Sequence, residues 1–295
     1  MAYKKYGGGV SWKRLFRAAI SKSQDGFFVN QELANRLKQQ KYSIVRSKHL
    51  CEVYCDGSLK DVKSRGDKVV NRKLAATLTQ VSEEGVGVFY NGAMATAMAS
   101  EIQQSKGIIT LRDFENYEAV EREIMTIPLP NAGLTLAVPP LPSGGPVLAV
   151  ILGVLDSYNI SSDLFKRTAN LQWHRTVEAF KHAYGARTHF GDPAFLSNGS
   201  RIADELTSAE TIKRIRSRIV DDKTFADPEY YGAAYLPVRA QQTSTSHVSV
   251  LAPNGDAVAV TSTINWFFGS LYASESTGVL FNDEMSDFFL PGLGW

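Results

Sequence analysis

Thr245-Ser-His-Val-Ser-Val-Leu-Ala-Pro-Asn254-Gly-Asp-Ala-Val-Ala-Val-Thr-Ser-Thr263 is the stretch whose reading decides the fold. Residues 247–251 read as one strand and residues 257–261 as a second. Between them Pro253-Asn-Gly-Asp256 is a strong turn signal, because Asn-Gly supplies the positive φ that a tight hairpin turn requires. Folding the chain about Asn254-Gly255 sets Thr245 opposite Thr263 or its neighbour, and facing residues on paired strands lie about 4.5–5.5 Å apart. Two threonines distant in sequence therefore meet at the open end of the hairpin. Asn265 lies two residues beyond Thr263, on the same face if the strand continues.

Upstream of the hairpin, residues 196–244 are the least regular part of the chain, with a polar helix at 208–220 and a polar run, Arg239-Ala-Gln-Gln-Thr-Ser244. Farther back, Ser11 can cap a helix whose apolar face is Trp12, Leu15, Phe16, Ala19 and Ile20. Asn30 can cap a second, and helical patterns recur at 72–82, 93–105 and 169–187. Residues 124–127 and 134–138 read as strands interrupted by Pro128 and Pro130. Ser143-Gly144-Gly145 lacks the lysine and spacing of a phosphate loop and reads as a turn, after which Pro146 opens an apolar helix.

With 295 residues, 44% of them hydrophobic, the chain can bury a sizeable core in one large domain or two. Its 32 Lys+Arg nearly balance 30 Asp+Glu. No basic block interleaves with aromatics, so no nucleic-acid partner is expected. The longest apolar run, 147–155, falls short of the ~20 residues of a spanning helix. Met1-Ala-Tyr-Lys-Lys-Tyr6 is followed by no apolar stretch, so no signal peptide is read there. Cys51 and Cys55 alone exclude a disulfide-rich scaffold and cannot close a structural zinc site. Their spacing leaves free thiols and a local disulfide both open. His174, His182 and His189 lack the i, i+4 metal spacing and read as helix-surface and loop residues, and His247 is given no catalytic role. Neither metal nor cofactor is expected.

A threonine hydroxyl is a poor nucleophile at neutral pH and needs a base. Cutting the peptide bond before the threonine frees its own α-amino group, whose pKa of about 7.7–8.0 suits that task. Thr245 follows a polar, irregular stretch and begins a strand, which suits such a cut. Taken alone it would still read as an ordinary strand threonine, and Glu284 with Asp287 as a solvated turn.

The surrounding residues change that reading. Thr245-Ser-His-Val-Ser-Val250, Thr261-Ser-Thr-Ile-Asn265, Phe268-Gly-Ser270 and Gly278-Val-Leu-Phe-Asn-Asp-Glu-Met-Ser-Asp-Phe288 occur in order over about 45 residues. They resemble the start of the small subunit of gamma-glutamyltransferases. Leu50-Cys-Glu-Val-Tyr-Cys55, Phe89-Tyr-Asn-Gly92, Ser143-Gly-Gly-Pro-Val-Leu148, and Val177-Glu-Ala-Phe180 followed by Gly191-Asp-Pro193 resemble the large subunit. The resemblance covers most of the chain.

What the resemblance implies is specific. The fold would be α+β, the four-layer αββα arrangement of N-terminal nucleophile hydrolases, here incomplete. A precursor would cut itself between Ser244 and Thr245, dividing this chain into the end of a large subunit, 1–244, and the start of a small one, 245–295. Thr245 would be the nucleophile and Thr263 its hydrogen-bonding neighbour. Asn265, Glu284 and Asp287 would hold the donor's α-amino group, since a buried ammonium needs anionic or amide-oxygen acceptors. The substrates would be glutathione and other gamma-glutamyl amides, with water, amino acids or peptides as acceptors. Cys51 and Cys55 would form a disulfide. The sequons at Asn159 and Asn198 agree with a glycoprotein that is secreted or on the outer face of the plasma membrane.

Against the family pattern one substitution and three absent elements are expected. Ser244 stands where a glycine usually precedes the nucleophile, and its Cβ restricts the backbone strained for self-attack. The substrate-binding arginine expected early in the large subunit would lie before Met1. A serine pair and an oxyanion-hole glycine pair would lie after Trp295. A non-catalytic fragment or pseudoenzyme of the same family is the alternative; a related acylase is disfavoured, because a donor without an α-amine would not need Asn265, Glu284 and Asp287.

Overall fold

The computed structural model describes residues 1–196, 199–234 and 245–287; Ser244 and Asn198 lie outside them, and Asp287 is described by its backbone. The described residues mix helices with three two-stranded antiparallel sheets. They form two compact units, one of Met1–Ala119 with Gln241–Trp295, the other of Val120–Ala240. This division by compactness differs in kind from the expected cut at 244/245, which is a division of the chain.

In the first unit the short helices Gln31–Gln39, Lys41–Arg46 and Lys48–Tyr54 bury Leu37, Ile44, Leu50 and Cys51 against Val29, Val69, Phe268 and Ala273. The expected cap is present: Asn30 Oδ1 accepts the Leu33 N–H at 2.8 Å. The helices at 41–46 and 48–54 escape a periodicity reading because each is under two turns long, too short for an apolar stripe to repeat. Cys51 and Cys55 are bonded to each other, which closes the alternative that spacing left open. A loop this short constrains the unfolded chain little, so the bond fixes a helix end more than it stabilises the fold.

Helix Arg72–Glu84 holds the return of the chain after the hairpin. Asn71 caps it, accepting the Leu74 N–H at 3.0 Å, and the same side chain donates through Nδ2 to the Gly278 carbonyl at 2.9 Å. Farther along the helix, Thr77 Oγ1 donates to the Thr277 carbonyl at 2.8 Å. From helix Ala93–Gln104, Glu101 accepts the Glu275 and Ser276 N–H groups at 3.1 and 2.9 Å. Burial acts to raise the Glu101 pKa, but hydrogen bonds from Ser274, Ser276 and Glu275 outweigh it and keep the carboxylate below its ordinary range. Gly278 has φ +70°, and a Cβ there would stand 2.5 Å from Asn71 Oδ1 and 2.6 Å from Leu74 N. Helix Trp12–Gln24 lies along the same helix, and Trp12 Nε1 donates to the Val81 carbonyl at 3.1 Å. Ser11 occupies its cap position in extended backbone, without a side-chain hydrogen bond to the helix.

In the second unit the apolar helix Gly145–Asp156, with Pro146 in its first turn, packs on Ala169–Arg187 and Ala209–Arg218. Val147, Val150 and Val154 meet Ala179, Ala183 and Ile215. The strands Met125–Leu129 and Leu134–Val138 form a ladder in which Pro128 pairs with Thr135. Pro128 therefore lies within a strand and does not interrupt it. In a two-stranded sheet each strand keeps an open edge, where a missing N–H costs no ladder bond.

The segment after 220 is strapped along helix Ala169–Arg187. The buried Glu178 carboxylate accepts from Tyr231 Oη at 2.8 Å, Thr224 Oγ1 at 2.7 Å and Lys181 Nζ at 3.0 Å. A Cβ on Gly185 would meet the Tyr231 carbonyl at 2.2 Å, so glycine permits this approach. His174 and His189 face the Val220 and Gly232 carbonyls at 2.8 and 2.9 Å. His182 departs from expectation: it is buried, 3% exposed, with its ring 4.9 Å from that of Tyr231. Periodicity could not find it, because its cover, Tyr230 and Tyr231, lies far later in the chain. Burial first, then the nearby Arg218 charge, pushes its pKa down to about 4.

Two outcomes are expected. Asn71→Ala should lower stability by about 2 kcal/mol, from a lost cap and a lost loop bond, and Gly278→Ala by at least as much. Urea unfolding midpoints at constant m-value measure both. The second concerns His182, whose folded pKa lies below the ordinary value of about 6.5. Its contribution is complete above pH 6.5 and is lost as pH falls from there towards 4, because the unfolded chain takes up the proton first. Urea midpoints at pH 7.5 and 5 should differ more for the unaltered protein than for His182→Gln.

Candidate functional site

The hairpin forms with strands Thr245–Leu251 and Ala257–Thr263, each two residues longer than expected, and its register pairs Thr245 with Thr263. Its turn spans residues 252–256, and of Asn254 and Gly255 only the glycine takes a positive φ. Gly255 has φ +92°, the Asp256 N–H donates to Asn254 Oδ1 at 3.1 Å, and Ala252 N–H donates to the Asp256 carbonyl at 2.8 Å. Alternation divides the ribbon into two faces. Thr245, His247 and Ser249 share one with Thr263 and Thr261; Val248 and Val250 share the other with Val258 and Val260. All four valines are exposed. Both His247 ring nitrogens are engaged, Nδ1 with Thr261 Oγ1 at 2.7 Å and Nε2 with Ser249 Oγ at 3.0 Å.

Beyond Thr263 the ladder ends and the backbone reverses. Asn265 and Phe268 take left-handed φ values of +69° and +64°, and Gly269 one of +52°. Asparagine tolerates this region because its short polar side chain can bond locally; phenylalanine needs an anchor. Phe268 is buried in the first unit's core, edge-on to Tyr54 at 5.2 Å between centroids. A Cβ at 269 would lie 2.1 Å from the Phe281 carbonyl, so only glycine lets the returning chain pass so close.

This reversal buries Asn265, which is 2% exposed. Its N–H donates to Thr263 Oγ1 at 2.8 Å. Its Nδ2 donates to Ser286 Oγ at 3.1 Å and to the Asp283 carbonyl at 3.4 Å. The Asp283 carboxylate accepts the Trp266 N–H at 3.0 Å. One more step brings the 3₁₀ turn Glu284–Asp287, whose first N–H donates to Asn282 Oδ1 at 3.1 Å. Thr245, Thr263 and Asn265 are thus linked in sequence through one strand pair and one hydrogen bond, and Asn265 is tied to the turn that carries Glu284 and Asp287.

Asp283 and Ser286 were not singled out from the sequence. Their signal was the polar run Asn282-Asp-Glu-Met-Ser-Asp287, in which short side chains can bond to nearby backbone. Of the remaining expected residues, Asn159 is exposed in a tight turn after helix Gly145–Asp156, with φ +48°. Among the described residues no group of three or more His, Cys, Asp or Glu is arranged to hold a metal, and no helix is long and apolar enough to cross a membrane.

Comparison with known proteins gives one answer at several levels. The family model for Gamma-glutamyltranspeptidase matches residues 1–293. Scoloptoxin SSD14 of Scolopendra dehaani is 38% identical over 99% of this chain and 50% of its own length. Glutathione hydrolase 2 of Arabidopsis thaliana is 36% identical over 96% of this chain and 48% of its own. The chain spans about half the length of the curated relatives it matches. Among solved structures, the gamma-glutamyltranspeptidase of Helicobacter pylori superposes with a TM-score of 0.67 at 26% identity, covering 76% of this chain and 62% of that one. A cephalosporin acylase from Bacillus halodurans, 20% identical, reaches 0.73 over 95% of this chain and 49% of its own, a likeness of fold alone. The fold is therefore that of the N-terminal nucleophile hydrolases, as expected, and the described strands form three two-stranded antiparallel pairs. A match running from the first residue to the 293rd, over the same segments that build the site, makes this chain a member of the gamma-glutamyltranspeptidase family.

Proposed function

We propose that Thr245, freed by cleavage after Ser244, is the nucleophile of a gamma-glutamyl transferase and hydrolase. The observation that carries this reading is the pairing of Thr245 with Thr263, whose hydroxyl accepts the N–H of the buried Asn265. In the cleavage step Thr245 Oγ attacks the Ser244 carbonyl, the C–N bond breaks to leave an ester, and water hydrolyses it. The products are a new carboxyl terminus at Ser244 and a free Thr245 amine. Residues 1–244 and 245–295 then belong to separate large and small subunits.

In turnover the freed amine takes the proton from Thr245 Oγ as the oxygen attacks the donor's γ-carbonyl carbon. Collapse breaks the amide bond, and the leaving amine receives that proton. Water, an amino acid or a peptide then attacks the γ-glutamyl ester and regenerates the hydroxyl. Asn265, Glu284 and Asp287 hold the donor's α-ammonium, for which two carboxylates and an amide oxygen are suitable acceptors. Glutathione is the natural donor class, in keeping with the relatives named glutathione hydrolases. The protein acts outside the cell or on its surface, where the Cys51–Cys55 disulfide is stable.

Denaturing gels and a γ-glutamyl anilide assay on the complete gene product test this. Thr245→Ala should abolish both the split and the turnover. Ser244→Gly should split faster than the unaltered protein, since it removes the Cβ at the scissile bond. A Thr245→Ala protein that still splits at 244/245 would remove Thr245 from the mechanism. Secreted protein should also carry a glycan at Asn159, seen as a loss of mass on amide-specific deglycosylation that Asn159→Gln prevents. The Asn198 sequon is testable by the same substitution.

A further inference from the structure

We propose that Asp283 and Ser286 are positioning residues that make the site selective for donors carrying an α-amino group, acting through the side chain of Asn265. The inference rests on the reading of Asn265 as an acceptor for that amine. An asparagine amide has two ends of similar shape and opposite polarity, and only its oxygen can accept from an ammonium. A flip of 180° would present N–H groups to a cation. What fixes the orientation therefore decides whether the residue attracts or repels the donor.

Among the described residues two acceptors fix it here. Asn265 Nδ2 donates to Ser286 Oγ at 3.1 Å and to the Asp283 main-chain carbonyl at 3.4 Å. A carbonyl oxygen cannot donate, so a flipped amide would set two oxygens against each other. Ser286 is itself oriented: its hydroxyl donates to Asp283 Oδ2 at 3.4 Å, which turns a lone pair towards Asn265. Proton donation thus runs in one direction, from Asn265 to Ser286 to the Asp283 carboxylate, and each bond polarises the next.

The same aspartate brackets the backbone of Asn265 on both sides. Its N–H donates to the Ile264 carbonyl at 3.3 Å, and its carboxylate accepts the Trp266 N–H at 3.0 Å. These contacts hold Asn265 in left-handed backbone, φ +69°, while it is 2% exposed. At that burial an amide misaligned by one bond cannot borrow a solvent partner, so the clamp sets the direction of Oδ1.

The test uses two donors on the complete gene product: a γ-glutamyl anilide and the corresponding glutaryl anilide, identical except that the α-amine is missing. The unaltered protein should favour the γ-glutamyl donor in KM. Ser286→Ala should raise KM for that donor about three- to tenfold, with kcat changed less than twofold, and leave KM for the glutaryl donor unchanged. Ser286→Thr, which keeps the hydroxyl, should restore the preference. Asp283→Asn, which keeps the carbonyl but weakens the pull on Ser286, should fall between. A donor preference that survives both Ser286→Ala and Asp283→Asn, or a loss shared equally by the two donors, would overturn this inference alone. If the unaltered protein turns over both donors with equal KM, the amine-binding reading of the site falls, and this inference with it.

Discussion

Everything at the candidate site hangs from a loop that has no regular secondary structure of its own. Residues 264–281 reverse direction through left-handed backbone and would not hold that path unaided. What holds them is a row of donors and acceptors on two helices formed far earlier in the chain: Asn71 and Thr77 on one, Glu101 on the other. The polar groups of an irregular loop must be satisfied somewhere once they are buried. Here a helix cap, a threonine hydroxyl and a carboxylate supply the partners that a sheet would otherwise provide.

The same economy operates in the second unit with different chemistry. Glu178, on helix Ala169–Arg187, gathers Thr224, Tyr231 and Lys181. A buried carboxylate unpaired would be costly; with three donors it becomes the anchor of an otherwise irregular strap. In each unit an acidic residue on a helix converts loop into fixed structure, and in each the clearance comes from a glycine at the closest approach, Gly278 in one and Gly185 in the other.

How much of this the sequence disclosed depended on the range of the interaction. The hairpin was legible because its determinants are local: an Asn-Gly turn and strands on either side, from which the Thr245–Thr263 pairing follows by counting. Asn30 could be read as a cap for the same reason, whereas Asn71, which caps the next long helix, was not singled out. Pro128 misled because a rule about central strands was applied to a two-stranded ladder. His182 misled because its cover, Tyr230 and Tyr231, comes from a segment with no periodicity. Asp283 and Ser286 stayed hidden since a polar run reads alike whether it faces water or clamps a buried amide. The link from Cys51 to Cys55 needed a resemblance before it needed a structure.

The two faces of the hairpin give its turn a significance that stability alone would not reveal. Because side chains alternate, a slip of one residue between the strands would carry Thr245 across to the valine side and bring a valine to the threonine side. The ladder hydrogen bonds would re-form almost as well, so such a slipped ribbon would be a competent structure with its chemistry facing the wrong way. A single-residue insertion or deletion between Pro253 and Asp256 is thus a different kind of lesion from one in the loops of the second unit. It would leave a chain that folds, is abundant, and is inert, the sort of change that assays of expression or melting pass over.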